Sequence, residues 1–99
     1  MRFFRQAILS DLWRHLRETA VRHLDYFPPR MAIPTAIEAL DDKNEYVRDS
    51  AIEMLETLTN NHFGKTDTIK NYFDREPARK KIIKKWENWY KDWQKEQIE

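Results

Sequence analysis

The chain contains no cysteine and only one glycine among its 99 residues. Without cysteine it can form neither a disulfide framework nor a reactive thiolate. One glycine and four prolines leave few turns that need unusual backbone angles, which favours long helices joined by short connections. These absences favour a helical protein without covalent cross-links.

Charge and hydropathy exclude further classes of protein. No run approaches the roughly 18 consecutive apolar residues of a membrane span, and charge interrupts residues 1–6 before the apolar core of a signal peptide forms. Eighteen basic against seventeen acidic residues give a net charge of +1, which provides no overall field to attract nucleic acid or anionic lipid. We expect a cytoplasmic protein.

Length and aromatic content indicate one ordered domain over residues 1–99. Chains of this size can bury enough apolar surface to fold alone. Aromatic residues make up 13% of the sequence and supply bulk for a core, although 35% of the residues are charged.

Two segments of the chain are built to the same pattern. Residues 47–55 repeat residues 16–24 at an offset of 31 (47 − 16 = 31), with Arg, Ala and Leu in register. An Asp precedes both copies at the same offset, and a fainter third copy contains Arg79, Ile82 and Trp86. A helical unit that recurs near every thirty residues is typical of a stacked α-solenoid.

Apolar spacing predicts helices over residues 3–9, 11–27, 33–40, 45–59 and about 77–97. We expect Pro28 and Pro29 to end the second helix, Pro34 to lie in the first turn of the third, and Asn44 to cap the fourth. The predicted buried stripes are Leu12, Leu16, Ala20, Leu24 and Phe27; Val47, Ala51, Leu55 and Leu58; and Ala78, Ile82, Trp86, Trp89 and Trp93. Residues 65–75 are compatible with a short helix or an ordered loop.

Residues 39–51, followed by Leu55, resemble a HEAT-like repeat, in particular the short bacterial type related to the phycobilisome-lyase repeats. That family's pattern is Leu, Asp, a capping Asp or Asn, then Val-Arg, a small residue, Ala and Leu. Residues 33–58 match it nearly throughout, whereas residues 8–27 carry Trp13 where a capping residue is expected. The Trp-rich tail resembles the closing segment of bacterial HEAT-repeat proteins.

The resemblance implies an all-α fold, a short right-handed α-solenoid of two HEAT-like helix pairs with a long Trp-rich capping helix. Repeat 1 would span about 3–27, repeat 2 about 33–59, and the closing segment 65–97. The repeated Asp and Arg would form a structural ladder, Asp11 with Arg17 and Asp42 with Arg48, and the longer helices would line the concave face. Because the family includes scaffolds, adaptors and a few enzymes, the resemblance does not specify a function.

Stacking at the 31-residue offset places charged residues of successive copies side by side. One row is Arg22, Glu53 and Lys84, and the other is Glu18, Asp49 and Lys80. These rows are either surface ion pairs between adjacent helices, each contributing roughly 0.2–1 kcal/mol, or the polar contacts of a partner-binding groove.

The N-terminal end is a second candidate surface for partners. Phe3, Phe4 and Ile8 have no upstream helix to cover them, and a solenoid needs a polar outer face on its terminal repeat. We therefore expect a homodimer through this edge, or a chain cut from a longer solenoid.

The leading hypothesis is a non-catalytic protein–protein interaction or scaffold module with an unidentified protein partner. The alternative is a nucleic-acid-binding module that uses the Lys-rich face of residues 79–91, although the Trp residues share an apolar stripe with Ile82 and acidic residues dilute the basic charge. A membrane-surface helix and an accessory subunit of the phycobilisome-lyase type are weaker alternatives. His15, His23 and His62 lack the spacing of a zinc site, and no nucleophile motif or phosphate loop occurs, so we expect no cofactor and no enzyme activity.

Overall fold

The computed structural model describes residues 11–66 and 69–98, and every regular element within these ranges is helical. The elements are α1 (Asp11–Arg22), a 3₁₀ turn (Leu24–Tyr26), α2 (Pro29–Ala39), α3 (Glu45–Thr59) and α4 (Tyr72–Ile98). None of these helices is long and apolar enough to cross a membrane. The all-helical fold predicted from the sequence is confirmed for this part of the chain, whereas the predicted helix over 3–9, with Phe3, Phe4 and Ile8, lies outside the described residues.

α3 is the central helix of the fold, because α1 and α2 both pack against it. The 3₁₀ turn contributes Leu24 to the same hydrophobic core as Leu55 of α3, so the two copies of the repeat lie side by side as predicted. α4 joins this core through Ile82 and Trp86. The described core consists of Val21, Leu24, Ala32, Ile33, Ala36, Leu40, Val47, Ala51, Ile52, Met54, Leu55, Ile82 and Trp86.

α3 has the boundaries that the sequence predicted. Asn44 precedes it in an extended conformation, and its side chain accepts hydrogen bonds from the backbone N–H groups of Tyr46 (2.9 Å) and Val47 (3.3 Å). Asn60 follows it with φ 57°, and its N–H donates to the carbonyl oxygen of Glu56. Side-chain capping at the start and a left-handed residue at the end are standard helix terminators.

α1 differs from the prediction in both length and buried face. The helix ends at Arg22, and Phe27 is extended because the residue before a proline disfavours the helical region. Leu16 is 48% exposed and Ala20 is also exposed, whereas Val21, outside the predicted stripe, is buried. The predicted stripe is therefore wrong for most of α1, because this helix turns a partly charged face toward the rest of the molecule.

Two helices begin earlier than predicted, so that their prolines lie inside them. α2 begins at Pro29, where a proline fits without losing a hydrogen bond, and Pro34 falls in the second turn. α4 begins at Tyr72 rather than Pro77. Asn71 caps it, since its Oδ1 accepts a hydrogen bond from the backbone N–H of Phe73 at 2.9 Å. For residues 65–75 the sequence allowed either a short helix or an ordered loop. The structure shows that the residues from 72 onward are helical.

The segment between α3 and α4 passes close to α4 at Gly64. Its φ of 122° lies in the region that favours glycine, and a Cβ at this position would lie 3.2 Å from Cγ1 of Ile82. The contact holds this segment, which carries Lys65 and Thr66, against the body of the fold.

Candidate partner-binding cleft

Arg17, the first of the repeated arginines, binds a carboxylate in the following repeat. Its Nε and Nη2 donate to the two carboxylate oxygens of Asp42 at 2.7 and 2.9 Å. Burial alone would raise the pKa of Asp42, but the hydrogen bonds from Arg17 and from the backbone N–H of Asn44, with the nearby charge of Arg48, hold that pKa below its ordinary value. The pair therefore joins α1 to the turn before α3.

Arg48, the second repeated arginine, also reaches forward along the chain. Its Nη1 donates to the backbone oxygen of Asp42 at 3.0 Å, and its Nη2 donates to Glu76 of α4 at 2.9 Å. The expected contact between Asp42 and Arg48 is thus made through the backbone of Asp42, since the carboxylate is occupied by Arg17. The expected partner of Arg17, the side chain of Asp11, lies outside the described part of the chain.

Arg79, the third arginine in the 31-residue series, is buried, with only 1% of its side chain exposed. Its Nε and Nη2 donate to the Asp49 carboxylate at 2.8 and 3.1 Å, and it also contacts Glu76 and Glu45. Burial alone would lower the pKa of Arg79, but the hydrogen bond to Asp49 and the three carboxylates raise it. The sequence placed Arg79 in register with Arg48, which was the signal for this role, although the surrounding lysines suggested a solvated basic run.

Four of the six residues predicted for the groove line one cleft between α1 and α3. Glu18 and Arg22 come from α1, and Asp49 and Glu53 come from α3. The cleft has a volume of about 190 Å³, and Lys65 and Thr66, which follow Gly64, also contribute to its lining. Its full lining is Glu18, Arg22, Tyr46, Asp49, Ser50, Ile52, Glu53, Lys65 and Thr66. We call this surface the α1–α3 cleft.

Most charged groups in the α1–α3 cleft already have a partner. Arg22 pairs with Glu18 at 2.9 Å, and Lys65 lies 3.5 Å from Glu56. Asp49 binds Arg79 and also accepts a hydrogen bond from the Thr66 hydroxyl at 3.3 Å. The side chain of Glu53 has no hydrogen-bond or ion-pair partner among the described residues. One carboxylate in the cleft is therefore available to a ligand.

Lys80 and Lys84 lie elsewhere, so the two predicted rows do not extend into α4. Both lysines line a different depression, together with Asp42, Arg48 and Glu76. The reason is that α4 turns Arg79, rather than Lys80, toward Asp49. The predicted six-residue groove is divided between two surfaces.

In the Lys-rich part of α4 the lysines are exposed to solvent, whereas the aromatic rings are buried or half-buried. Lys80, Lys81, Lys84 and Lys85 are exposed. Trp86 is fully buried and packs edge-on against Phe63 at a centroid distance of 4.6 Å. Trp89, Tyr90 and Trp93 are half-buried and pack in sequence beside it. The rings are therefore largely engaged with one another and with the core.

The three histidines are exposed in the described structure. His15 and His23 are exposed, and Nδ1 of His62 lies 3.2 Å from a carboxylate oxygen of the buried Glu56. Within residues 11–66 and 69–98, no group of three or more His, Asp or Glu side chains is arranged to hold a metal ion.

α1 packs beside the pair formed by α2 and α3, and helical units stacked on their neighbours in this way define the class of α-helical repeat proteins. The family model described as HEAT repeats matches residues 1–71, and the chain belongs to this family. HEAT repeats generally mediate protein–protein interaction or scaffolding and are typically non-catalytic. No significant match was found among curated proteins or among solved structures. α4 lies beyond the matched residues.

Proposed function

We propose that this chain is a non-catalytic interaction or scaffold module that binds a segment of a partner protein in the α1–α3 cleft. The observation that carries the proposal is that Tyr46 and Glu53 lie on one face of α3 and line the same cleft. The Tyr46 ring and the Glu53 carboxylate can both contact a partner there. The Tyr46 residue is 56% exposed, and the Glu53 carboxylate is unpaired among the described residues. Both belong to the longer helix of their repeat.

The α1–α3 cleft combines a carboxylate held in place by two hydrogen-bond donors, Asp49, with the accessible ring of Tyr46. Arg79 and Thr66 both donate hydrogen bonds to Asp49, so the position of this cleft residue is fixed before a partner binds. Preorganised surfaces lose less side-chain entropy on binding. Tyrosine is among the residues enriched at binding hot spots, because its ring offers a large contact area with a polar tip. Tyr46 is therefore the side chain on which we expect partner affinity to depend most.

The experiment compares Tyr46→Ala with Tyr26→Ala as a matched control. Tyr26 is 79% exposed in the 3₁₀ turn and does not line the cleft. Each variant and the native chain are used as bait in native lysate with quantitative mass spectrometry. The proposal expects one or more proteins that are captured by the native chain and by Tyr26→Ala and are lost with Tyr46→Ala. Equal capture by all three baits, or no specific capture, contradicts it.

A nucleic-acid-binding module using residues 79–91 is the second candidate, favoured by the exposure of Lys80, Lys81, Lys84 and Lys85. Glu87 stands on the same helix and is also exposed, which reduces the attraction for phosphate. The half-buried rings of Trp89 and Trp93 pack on each other at a centroid distance of 6.2 Å, which limits their stacking on bases. Protein binding is therefore the preferred proposal.

A further inference from the structure

Ser50 is a largely buried residue of α3 whose side chain lines the α1–α3 cleft. It is 4% exposed. Its hydroxyl makes no hydrogen bond with any described residue. The hydroxyl oxygen is not among the fully enclosed, unpartnered side-chain atoms of the described residues, so water in the cleft can reach it, and alanine would be the better helix former at this position.

The threonine hydroxyls in the described helices behave differently. Each donates to the backbone carbonyl four residues earlier, at distances of 2.7 to 3.1 Å. These residues are Thr19, Thr35, Thr57 and Thr59. Ser50 makes no such bond to Tyr46, so its oxygen is left for whatever occupies the cleft.

The residues around Ser50 indicate the size and chemistry of the group that could bind in the cleft. Tyr46 precedes Ser50 by four residues and Glu53 follows it by three, so the ring, the hydroxyl and the carboxylate share one face of α3. Glu18 of α1 also lines the cleft but is paired with Arg22, and Ile52 adds buried apolar surface. The volume of about 190 Å³ is below the roughly 300–1,000 Å³ of pockets that enclose a whole small molecule. The cleft therefore suits one side chain of a larger partner.

We infer that the partner inserts one basic side chain, lysine or arginine, into the α1–α3 cleft; this inference rests on the proposed function. The cationic head donates to the Ser50 hydroxyl and to the Glu53 carboxylate, which no described residue engages. The aliphatic stem lies along the Tyr46 ring, as the stems of basic residues commonly do on apolar and aromatic surface. The two cations of the cleft lining, Arg22 and Lys65, already face Glu18 and Glu56. The Glu53 carboxylate is therefore the acidic group that remains to complement a cationic donor, and the Ser50 hydroxyl adds a hydrogen-bond acceptor.

The test uses a randomised peptide library displayed on phage and selected on the native chain. The selected peptides are expected to share one basic position, and its replacement by methionine should weaken binding at least roughly tenfold, the usual loss for a hydrogen bond to a charged group. Ser50→Ala and Glu53→Gln should each weaken binding of the same peptide to a similar extent. Glu38→Gln, which removes an exposed carboxylate of α2 outside the cleft, should leave binding unchanged.

The melting temperature of Ser50→Ala separates loss of binding from loss of folding. Because the Ser50 hydroxyl has no partner among the described residues and alanine favours helix, Ser50→Ala should melt at or slightly above the temperature of the native chain. Selected peptides that need Tyr46 but share no basic position, or that bind Ser50→Ala as tightly as the native chain, would overturn the inference while leaving the proposed function intact. Selection of no peptide sensitive to Tyr46→Ala would overturn both.

Discussion

Replacing Arg79 tests whether the closing helix is held by buried charge. Arg79→Met retains much of the side-chain volume but leaves Glu45, Asp49 and Glu76 around a site without its cation. Removing one member of a buried ion pair costs about 3–5 kcal/mol. The side chains of Asp49 and Glu76 are 38% and 33% exposed and can regain water, so we expect the lower end, about 3 kcal/mol. For a domain of this size that loss lowers the melting temperature by roughly 12–24 °C.

Two further variants separate charge from geometry. Arg79→Lys keeps the positive charge but loses the two-pronged hydrogen bond to Asp49, and we expect about half of the destabilisation. Lys81→Met removes an exposed charge from the same helix and should change stability by less than about 0.5 kcal/mol. Urea unfolding followed by circular dichroism and tryptophan fluorescence gives the free energies. If Arg79→Met proved no less stable than Lys81→Met, the buried ion cluster would not be what holds α4.

Three other perturbations follow from the structure. Gly64→Ala should lose about 1–3 kcal/mol in thermal melting, because φ is 122° and the new Cβ would lie 3.2 Å from Ile82; native-like stability would contradict the close approach. Because the Arg17 pair lowers the pKa of Asp42 from 3.8, the stability advantage of the native chain over Asp42→Asn should be constant above about pH 5 and shrink as the pH falls through that lowered pKa, as urea unfolding between pH 2 and 7 would show. An advantage that persisted undiminished at the lowest pH would argue against the pair. Heparin retention at low salt should be weak, because acidic residues accompany the lysines of α4; strong retention that falls steeply with salt would favour the nucleic-acid candidate instead.

α3 could be predicted from the sequence because the determinants of this helix are local. Asn44 caps its start, and its apolar residues recur at the spacing that buries Val47, Ala51 and Leu55. α1 could not be predicted equally well, because its contact face includes Arg17, whose partner Asp42 lies 25 residues away. Apolar periodicity cannot detect a helix face that is held partly by a distant ion pair.

The 31-residue offset predicted the part of the candidate site formed by α1 and α3, but not the position of α4. The offset placed α1 beside α3 and therefore brought Glu18 and Glu53 into one cleft. It failed at α4, where Arg79 takes the position expected of Lys80. Ser50 was overlooked because it occupies the same repeat position as Thr19, yet Thr19 bonds to its own helix and Ser50 does not. Side chains at equivalent repeat positions can therefore make different hydrogen bonds, and this difference is visible only in the tertiary structure.

The linked arginines have a consequence for how this chain can be divided. Arg17 of α1 pairs with Asp42 in the turn before α3, Arg48 of α3 pairs with Glu76 of α4, and Arg79 of α4 pairs with Asp49 of α3. Each boundary in the pattern of repeats is therefore crossed by an ionic bond. If α2 and α3 were excised alone, Asp42, Arg48 and Asp49 would lose their ionic partners on α1 and α4. The part of the chain to keep together in a fusion or truncation is therefore α1 to α4.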